Sequence, residues 1–261
     1  MRSKIAMPLE IVIVPCLSDN YAYLLHDAQT GATAVVDAPD AGPIELALGQ
    51  HRWKLTDILI THHHHDHIGG VEPLRAAHGA RVIGAAADAG RLPKLELAVE
   101  EGDTIIVGSE TARVLDVSGH TMGHIAYFFP DSAAVFTGDS LMALGCGRLF
   151  EGDADTMWAS LSKLATLPPQ TQVYSGHEYT IANGRFAQSV EPDNPALQDR
   201  IERVAELRAQ GKPTVPARID EELATNPFLR ARLPQVKSAL GMENRPDSDV
   251  FAEIRQRKDR F

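Results

Sequence analysis

Short runs of β-branched and aliphatic residues, each closed by Gly, Pro or Asp, follow one another up to about Ser175. They are "LEIVIVP", "YAYLLHD", "TAVVDAP", "DILITH", "ARVIGA", "DTIIV", "ARVLDVS", "IAYFFPD", "AAVFTGD" and "QVYSG". Runs of this length and make-up predict strands. Between some of them the apolar positions take helical spacing, in "GPIELALGQ", "GVEPLRAAHG" and "DADTMWASLSKLATL". The last opens with Asp residues suited to an N-cap and stops just before Pro168 and Pro169. From about Tyr179 the strand pattern gives way to helices, notably "NPALQDRIERVAELRAQG", where Pro195 suits a first turn and Gly211 a C-cap. The layout is α/β, with a domain boundary placed between residues 178 and 179: a mixed domain 1–178 and a helical domain 179–261.

Composition narrows the class. A chain of 261 residues with 44% hydrophobic content can build an ordinary packed core. No stretch approaches the roughly 18 uninterrupted apolar residues of a membrane span. The opening "MRSKIAMPLE" lacks the apolar region of a signal peptide, so a cytoplasmic protein with no membrane partner is expected. The two cysteines, Cys16 and Cys146, form no CxxC pair and read as free thiols. A formal charge of −10 argues against nucleic-acid binding, which normally needs a basic surface. It bears less on a small anionic substrate, because charges beyond a Debye length of roughly 8–10 Å are screened and the local field decides.

The candidate chemistry starts at "DILITHHHHDHIGG". An engineered histidine tag sits at a terminus, whereas this run is internal. Residues two apart in an extended segment point the same way, so His62 and His64 can converge on one ion while His63 and His65 face elsewhere. Asp66 and His67 fall just before the expected helix start at "IGGVEP" and can point at a second ion. Catalytic zinc generally takes three protein ligands and keeps one position for water, so each pair is incomplete alone. Three further strand ends look like the missing ligands: His120 in "DVSGHTMGH", Asp139 in "VFTGDSL" and His177 in "VYSGHEYT". Gly119, Gly138 and Gly176 precede them, and glycine lets the backbone bend sharply beside a ligand. No GxSxG elbow, Walker A loop or GxGxxG fingerprint occurs, and no motif sets a base beside Cys146. His26, His51 and His78 lie outside any ligand-like context, and His124 suits either an orienting role or a strand-start hydrogen bond.

"THHHHDH", followed in order by His120, Asp139 and His177, resembles the signature of the metallo-β-lactamase fold hydrolases. The resemblance extends to the glyoxalase II, or hydroxyacylglutathione hydrolase, branch through "SDNYAYLL", "GHTMGHIAYFF", "FTGDSLMALGCGRLFEG", "YSGHEYT", "NPFLR" and the closing "RQRKDRF". It implies an αββα metallo-β-lactamase-type sandwich followed by an α-helical domain that helps bind the thiol half of the substrate. It implies one ion on His62, His64 and His120, a second on Asp66, His67 and His177, and Asp139 bridging. Two divalent ions, zinc first with iron or manganese as alternatives, can lower the pKa of a shared water to near neutrality, making a bridging hydroxide the nucleophile. The implied reaction is S-D-lactoylglutathione plus water to D-lactate plus glutathione. A thiol leaving group with a pKa of about 8.5 needs no general acid. Glutathione contacts are implied for Arg148, Tyr179, Arg255 and Lys258, and some members carry Lys and Tyr where this chain has Arg148 and Phe150. The chain is expected to act as a monomer. The alternatives are a mononuclear iron enzyme of the same fold resembling persulfide dioxygenases, and a non-catalytic metal-binding protein.

Overall fold

The structure, a computed structural model, describes residues 8–261. The first seven residues, on which most of the signal-peptide expectation rests, lie outside the described residues. Backbone contacts gather the described residues into two compact units, one of residues 8–116 with Gly123–Gly138 and one of Val117–Met122 with Asp139–Phe261.

The first unit runs β1 (Glu10–Cys16), β2 (Asn20–His26), β3 (Thr33–Val36), α1 (Ala41–His51), β4 (Asp57–Leu59), the single turn α2 (His65–Ile68), α3 (Val71–His78), β5 (Arg81–Ala85), β6 (Leu97–Val99), β7 (Thr104–Val107), β8 (Glu110–Asp116), β9 (Ile125–Phe129) and β10 (Ala134–Gly138). One sheet has the order β1-β2-β3-β4-β5-β6. Its β1, β2 and β3 pair antiparallel, and β3 through β6 pair parallel. Every residue of β3 and β4 is buried, as expected of parallel strands covered on both faces and of uninterrupted runs such as "TAVV". Ile44 and Leu48 of α1 and Val71 and Leu74 of α3 join Val35, Ile58 and Val82 in one apolar cluster over this sheet. In the same unit β10, β9, β8 and β7 form an antiparallel ladder. The two sheets meet face to face. Tyr23 of β2 lies 5.5 Å from Phe136 of β10, and the buried Tyr127 hydroxyl of β9 reaches the carbonyls of Ile60 (2.9 Å) and Ile83 (3.3 Å).

The second unit holds the hairpin β11 (Leu141–Met142) and β12 (Gly145–Cys146), then α4 (Ala154–Leu164), β13 (Gln172–Ser175), α5 (Thr180–Val190), α6 (Pro195–Ala209), β14 (Ala217–Arg218), α7 (Ile219–Thr225), α8 (Pro234–Leu240) and α9 (Asp247–Arg260). Asp153 caps α4 by accepting from the Thr156 N–H at 2.9 Å. Asn194 caps α6 ahead of Pro195, and Gly211 follows the helix with φ +68°. Phe228 packs between Phe186 of α5 and Phe251 of α9, with ring centroids at 6.0 and 5.8 Å. Helices dominate the region after Tyr179, as the sequence pattern predicts. The region also contributes β14, which pairs with β13 through Val173↔Ala217, a two-residue strand too short for its alternation to register in the sequence. Among the described residues no helix is long and apolar enough to cross a membrane.

Candidate metal centre

In the first unit the histidine run leaves the sheet just after β4, with the Ile60 N–H still donating to Ile83 O at 2.8 Å. Asp37, at the end of β3, takes the Thr61 N–H at 2.8 Å and the Thr61 hydroxyl at 2.8 Å. Because that hydroxyl proton goes to the carboxylate, Thr61 Oγ1 accepts from His62 Nδ1–H at 3.0 Å. This assigns the tautomer and leaves His62 Nε2 without a proton, 3.1 Å from His64 Nδ1. Asp37 Oδ2 also accepts from His67 Nδ1–H at 2.7 Å, which bares His67 Nε2, 3.7 Å from Asp66 Oδ2. The Asn20 side-chain amide holds Asp66 by its carboxylate and its carbonyl, both at 3.0 Å.

Ligand-capable atoms of Asp37, His62 and His67 lie within 4.8 Å of one another, a grouping that could itself hold an ion. Asp37 Oδ2 is already bonded to both His67 and Thr61, so its part is to orient imidazoles, as carboxylates behind metal-binding histidines commonly do. The expected helix start after His67 falls earlier. His64 is extended (φ −60°, ψ 142°), and Asp66 and His67 sit inside α2. His63 turns away to Asp88 Oδ2 at 2.9 Å and His65 is exposed. His124 stacks on His62 with ring centroids 4.5 Å apart and planes at 14°. Gly138 has φ +47°, and a Cβ there would stand 2.5 Å from Thr61 Oγ1 and 2.9 Å from the His124 ring. His26 stacks on Trp53, His51 lies within 3.9 Å of Glu10 and His78 bonds Glu45.

In the second unit Nε2 of His120 and Nε2 of His177 face the same oxygen, Asp139 Oδ2, at 3.5 and 3.3 Å. His120 Nδ1–H donates to Arg148 O at 2.8 Å, so the nitrogen turned to the carboxylate is the bare one. In a neutral ring that nitrogen presents a lone pair to a carboxylate oxygen, an arrangement that a proton or a metal cation between the two would stabilise. Imidazole nitrogen with carboxylate oxygen, and no thiolate, suits a divalent zinc, iron or manganese ion. The His177 ring stacks on Tyr179 with centroids 4.7 Å apart and planes at 7°.

His120, Asp139, Arg148, Tyr179, Arg255 and Lys258 line one cavity of about 550 Å³. Its cations differ. The Arg148 side chain is exposed. Lys258 is half-buried, donates to Ala182 O at 3.0 Å and lies over the Phe186 and Phe261 rings. Burial, then the nearby Arg255 and Arg148 charges, hold its ammonium below the usual lysine range. The resemblance implies a glutathione contact for Arg255 as well. Arg255 is only 5% exposed, donates to Cys146 O at 2.9 Å and to Asp259 Oδ1 at 2.8 and 3.1 Å, and lies over Phe228. Cys146 is buried beside it, and burial pushes the thiol up to about 11 against the opposing pull of Arg255. It is no thiolate nucleophile at neutral pH.

The metallo-beta-lactamase superfamily profile matches residues 18–177, and the profile described as hydroxyacylglutathione hydrolase C-terminus matches 178–261. A hydroxyacylglutathione hydrolase of Cereibacter sphaeroides is 61% identical over 98% of this chain and 100% of its own length. The chain belongs to the hydroxyacylglutathione hydrolase family. It is a hydrolase with the metallo-β-lactamase fold and a C-terminal helical part. A hydroxyacylglutathione hydrolase of Methylococcus capsulatus is 54% identical over 97% of the chain and 99% of its own length. Among solved structures, ETHE1 from Myxococcus xanthus has a TM-score of 0.66 at 26% identity, covering 96% of this chain and 90% of its own. TTHA1623, described in a di-iron-bound form, has a TM-score of 0.54 at 32% identity, covering 64% of this chain and 91% of its own. Family membership does not favour the mononuclear-iron or non-catalytic alternatives. Two orienting residues of this hydrolase escaped the sequence reading, Asp37 and Asn20. Each has a local signal, an Asp closing the run "TAVV" and an Asn inside "SDNY", but only the fold shows what either touches.

Proposed function

We propose that the chain hydrolyses S-D-lactoylglutathione to D-lactate and glutathione. In this reading His62, His64 and His120 would hold one divalent ion, Asp66, His67 and His177 would hold another, and Asp139 would serve both. Such ions, when bound, polarise a carbonyl and lower the pKa of water toward 7. The fit rests on the tautomers: Nδ1–H of His62, His67 and His120 is each taken by an oxygen, which in a neutral ring puts the lone pair on Nε2. Zinc is our first assignment, with iron and manganese next.

The reading is carried by a cavity on which the ligand candidates His120 and Asp139 and the cations Arg148 and Lys258 all border. Glutathione is a dicarboxylate with its thiol at the centre, so it suits cations set apart from the hydrolytic end. In our assignment Lys258 and Arg148 pair with its carboxylates and Tyr179 borders its peptide. Arg255, with donors engaged by Cys146 and Asp259, supplies charge and holds the wall. The departing thiolate, of pKa about 8.5, leaves without a proton from the protein. We also keep residues 1–178 as the catalytic part and 179–261 as the substrate-binding part, and we take the protein to be a cytoplasmic monomer without nucleic-acid or membrane partners. The test is thiol release from S-D-lactoylglutathione beside the lactoyl thioester of a small uncharged thiol. The reading expects a much lower KM for the first, and equal kcat/KM for both would remove glutathione from the proposal.

A further inference from the structure

The segment "NPFLR" supplies no group to the proposed chemistry, yet its first residue is fully buried and bonded at both side-chain polar atoms. Asn226 Nδ2 donates to Gly145 O (2.9 Å), Met142 O (3.2 Å) and Glu222 Oε2 (2.9 Å), and its Oδ1 accepts from the Phe228 N–H at 3.0 Å. Met142 and Gly145 are the paired residues that close the β11–β12 hairpin. Glu222, 0% exposed, accepts from the Leu144 N–H in the turn of that hairpin at 3.0 Å and is itself paired with the buried Arg200. Leu144 has φ +56°, a left-handed conformation that a leucine adopts only when its surroundings impose it. Asn183 of α5 takes another carbonyl of the turn, Ala143 O, at 3.1 Å. Side chains from helical elements thus bind the backbone of a two-plus-two-residue hairpin whose own ladder is too short to fix it.

This hairpin joins two candidate parts of the site. Asp139 lies just before it and Arg148 just after it. The Gly147 N–H donates back to Ser140 O at 3.1 Å, and a Cβ at Gly147 would fall 2.0 Å from Asp139 O, so the two ends of the hairpin are in direct backbone contact. The carbonyl of Arg148 accepts from His120 Nδ1–H, which decides which His120 nitrogen is bare, and the carbonyl of Cys146 accepts from Arg255.

We propose that Asn226, acting with Glu222, is a positioning residue for the metal centre: by clamping the β11–β12 hairpin it sets the Arg148 carbonyl that orients His120 and the backbone that carries Asp139. This inference rests on the two-ion reading above and gives the otherwise unused "NPFLR" segment a task. A buried Glu–Arg pair is weak support for stability by itself, because desolvation offsets its attraction, so its use here is to hold one arrangement of the hairpin rather than to strengthen the fold.

The experiment compares Asn226→Asp, nearly isosteric but with its donors replaced by an acceptor facing two carbonyls and a carboxylate, with Arg230→Ala. The control removes the Arg230–Glu191 pair (2.7 and 2.8 Å) from the same segment and leaves the hairpin contacts alone. Zinc affinity is measured by chelator competition, kcat and KM on S-D-lactoylglutathione, and folding by circular dichroism well below the melting temperature. Loss of an outer partner of a metal ligand costs about 10–100-fold in affinity or activity. Asn226→Asp is therefore expected to release zinc at least tenfold more easily and to lose kcat with KM held within about threefold. Asn226→Ser, which keeps one donor, should fall between it and the parent. Arg230→Ala should melt lower yet hold zinc like the parent. Folded Asn226→Asp and Asn226→Ser proteins with parental zinc affinity and kcat would overturn the proposal, and should the Asp variant not fold, the Ser variant decides the same comparison. A parent protein that binds no zinc, iron or manganese would instead overturn the two-ion reading, and it is measured before any variant.

Discussion

Arg255 and Lys258 lie on one helix and border one cavity, but the structure separates what their removal should do. Arg255→Ala strips a donor from the buried Cys146 carbonyl and a guanidinium from the face of Phe228, 5.0 Å away. An unsatisfied buried acceptor costs about 1–3 kcal/mol and the lost cation–π contact about 0.5–2, while the Asp259 pair, exposed on its acidic side, adds little, so about 2–4 kcal/mol of stability should go. Lys258→Met keeps an apolar stem over Phe186 and Phe261 and removes the ammonium, whose bond to Ala182 O is exposed and replaceable by water and whose cation–π contacts are worth about 0.5–1 kcal/mol at such a site, so the fold should lose less than with Arg255→Ala. Its effect belongs to binding. A charged hydrogen bond to a substrate carboxylate is worth about 1.5–3 kcal/mol, or roughly 10–150-fold in KM, and it is made equally in ground and transition states, so kcat should stay within a few-fold. Urea unfolding of both variants, with steady-state kinetics on S-D-lactoylglutathione, measures the four quantities. The reasoning is refuted if Arg255→Ala keeps parental stability, or if Lys258→Met leaves KM unchanged.

Three further outcomes follow from the same geometry. Because Lys258 titrates below the usual 10.5 of lysine, its charge is lost as pH rises through that lowered value. KM for the glutathione thioester should therefore climb on an alkaline limb that begins below 10.5, and a pH–KM profile of Lys258→Met should lack this limb. The sign for folding is opposite: the unfolded chain holds the proton more tightly, so this lysine subtracts from stability at neutral pH, and the deficit shrinks as pH rises past its folded pKa and is gone only above the unfolded value of 10.5. Asp139→Ala should abolish metal retention in elemental analysis, whereas His63→Ala, which faces Asp88, should keep it; equal metal content would undo the assignment within the histidine run. Asp37→Ala frees the Nδ1 atoms of His62 and His67 from their fixed tautomers and should weaken zinc binding about 10–100-fold in a chelator titration, and parental affinity would count against the orienting role.

The strands, the long helices and their caps were legible because they rest on local rules: uninterrupted apolar runs for the buried β3 and β4, Asp153 before α4, and Pro195 at the head of α6. The short elements were not. In β11, β12 and β14 two residues carry too little alternation to read, and at the β11–β12 hairpin side chains far along the chain, Glu222 and Asn226, bond the backbone that so short a ladder leaves unpaired. Spacing singled out His62 and His64 as a pair, and the structure sets His62 Nε2 3.1 Å from His64 Nδ1, but the α2 turn around Asp66 and His67 is tied to Asp37, thirty residues from His67 and invisible to any periodicity. The partners of Arg255 were hidden for a similar reason: helical spacing sets the face of a side chain and says nothing of the carbonyl or carboxylate it finds there.

The most direct test of the two-ion thioesterase is a metal titration of protein first stripped with chelator, in which thiol release from S-D-lactoylglutathione and bound metal by elemental analysis are read on the same samples. The account predicts negligible activity without metal, a rise as zinc, iron or manganese is restored, and a plateau reached at two ions per chain. A plateau at one ion per chain, or full activity in stripped protein, would contradict it.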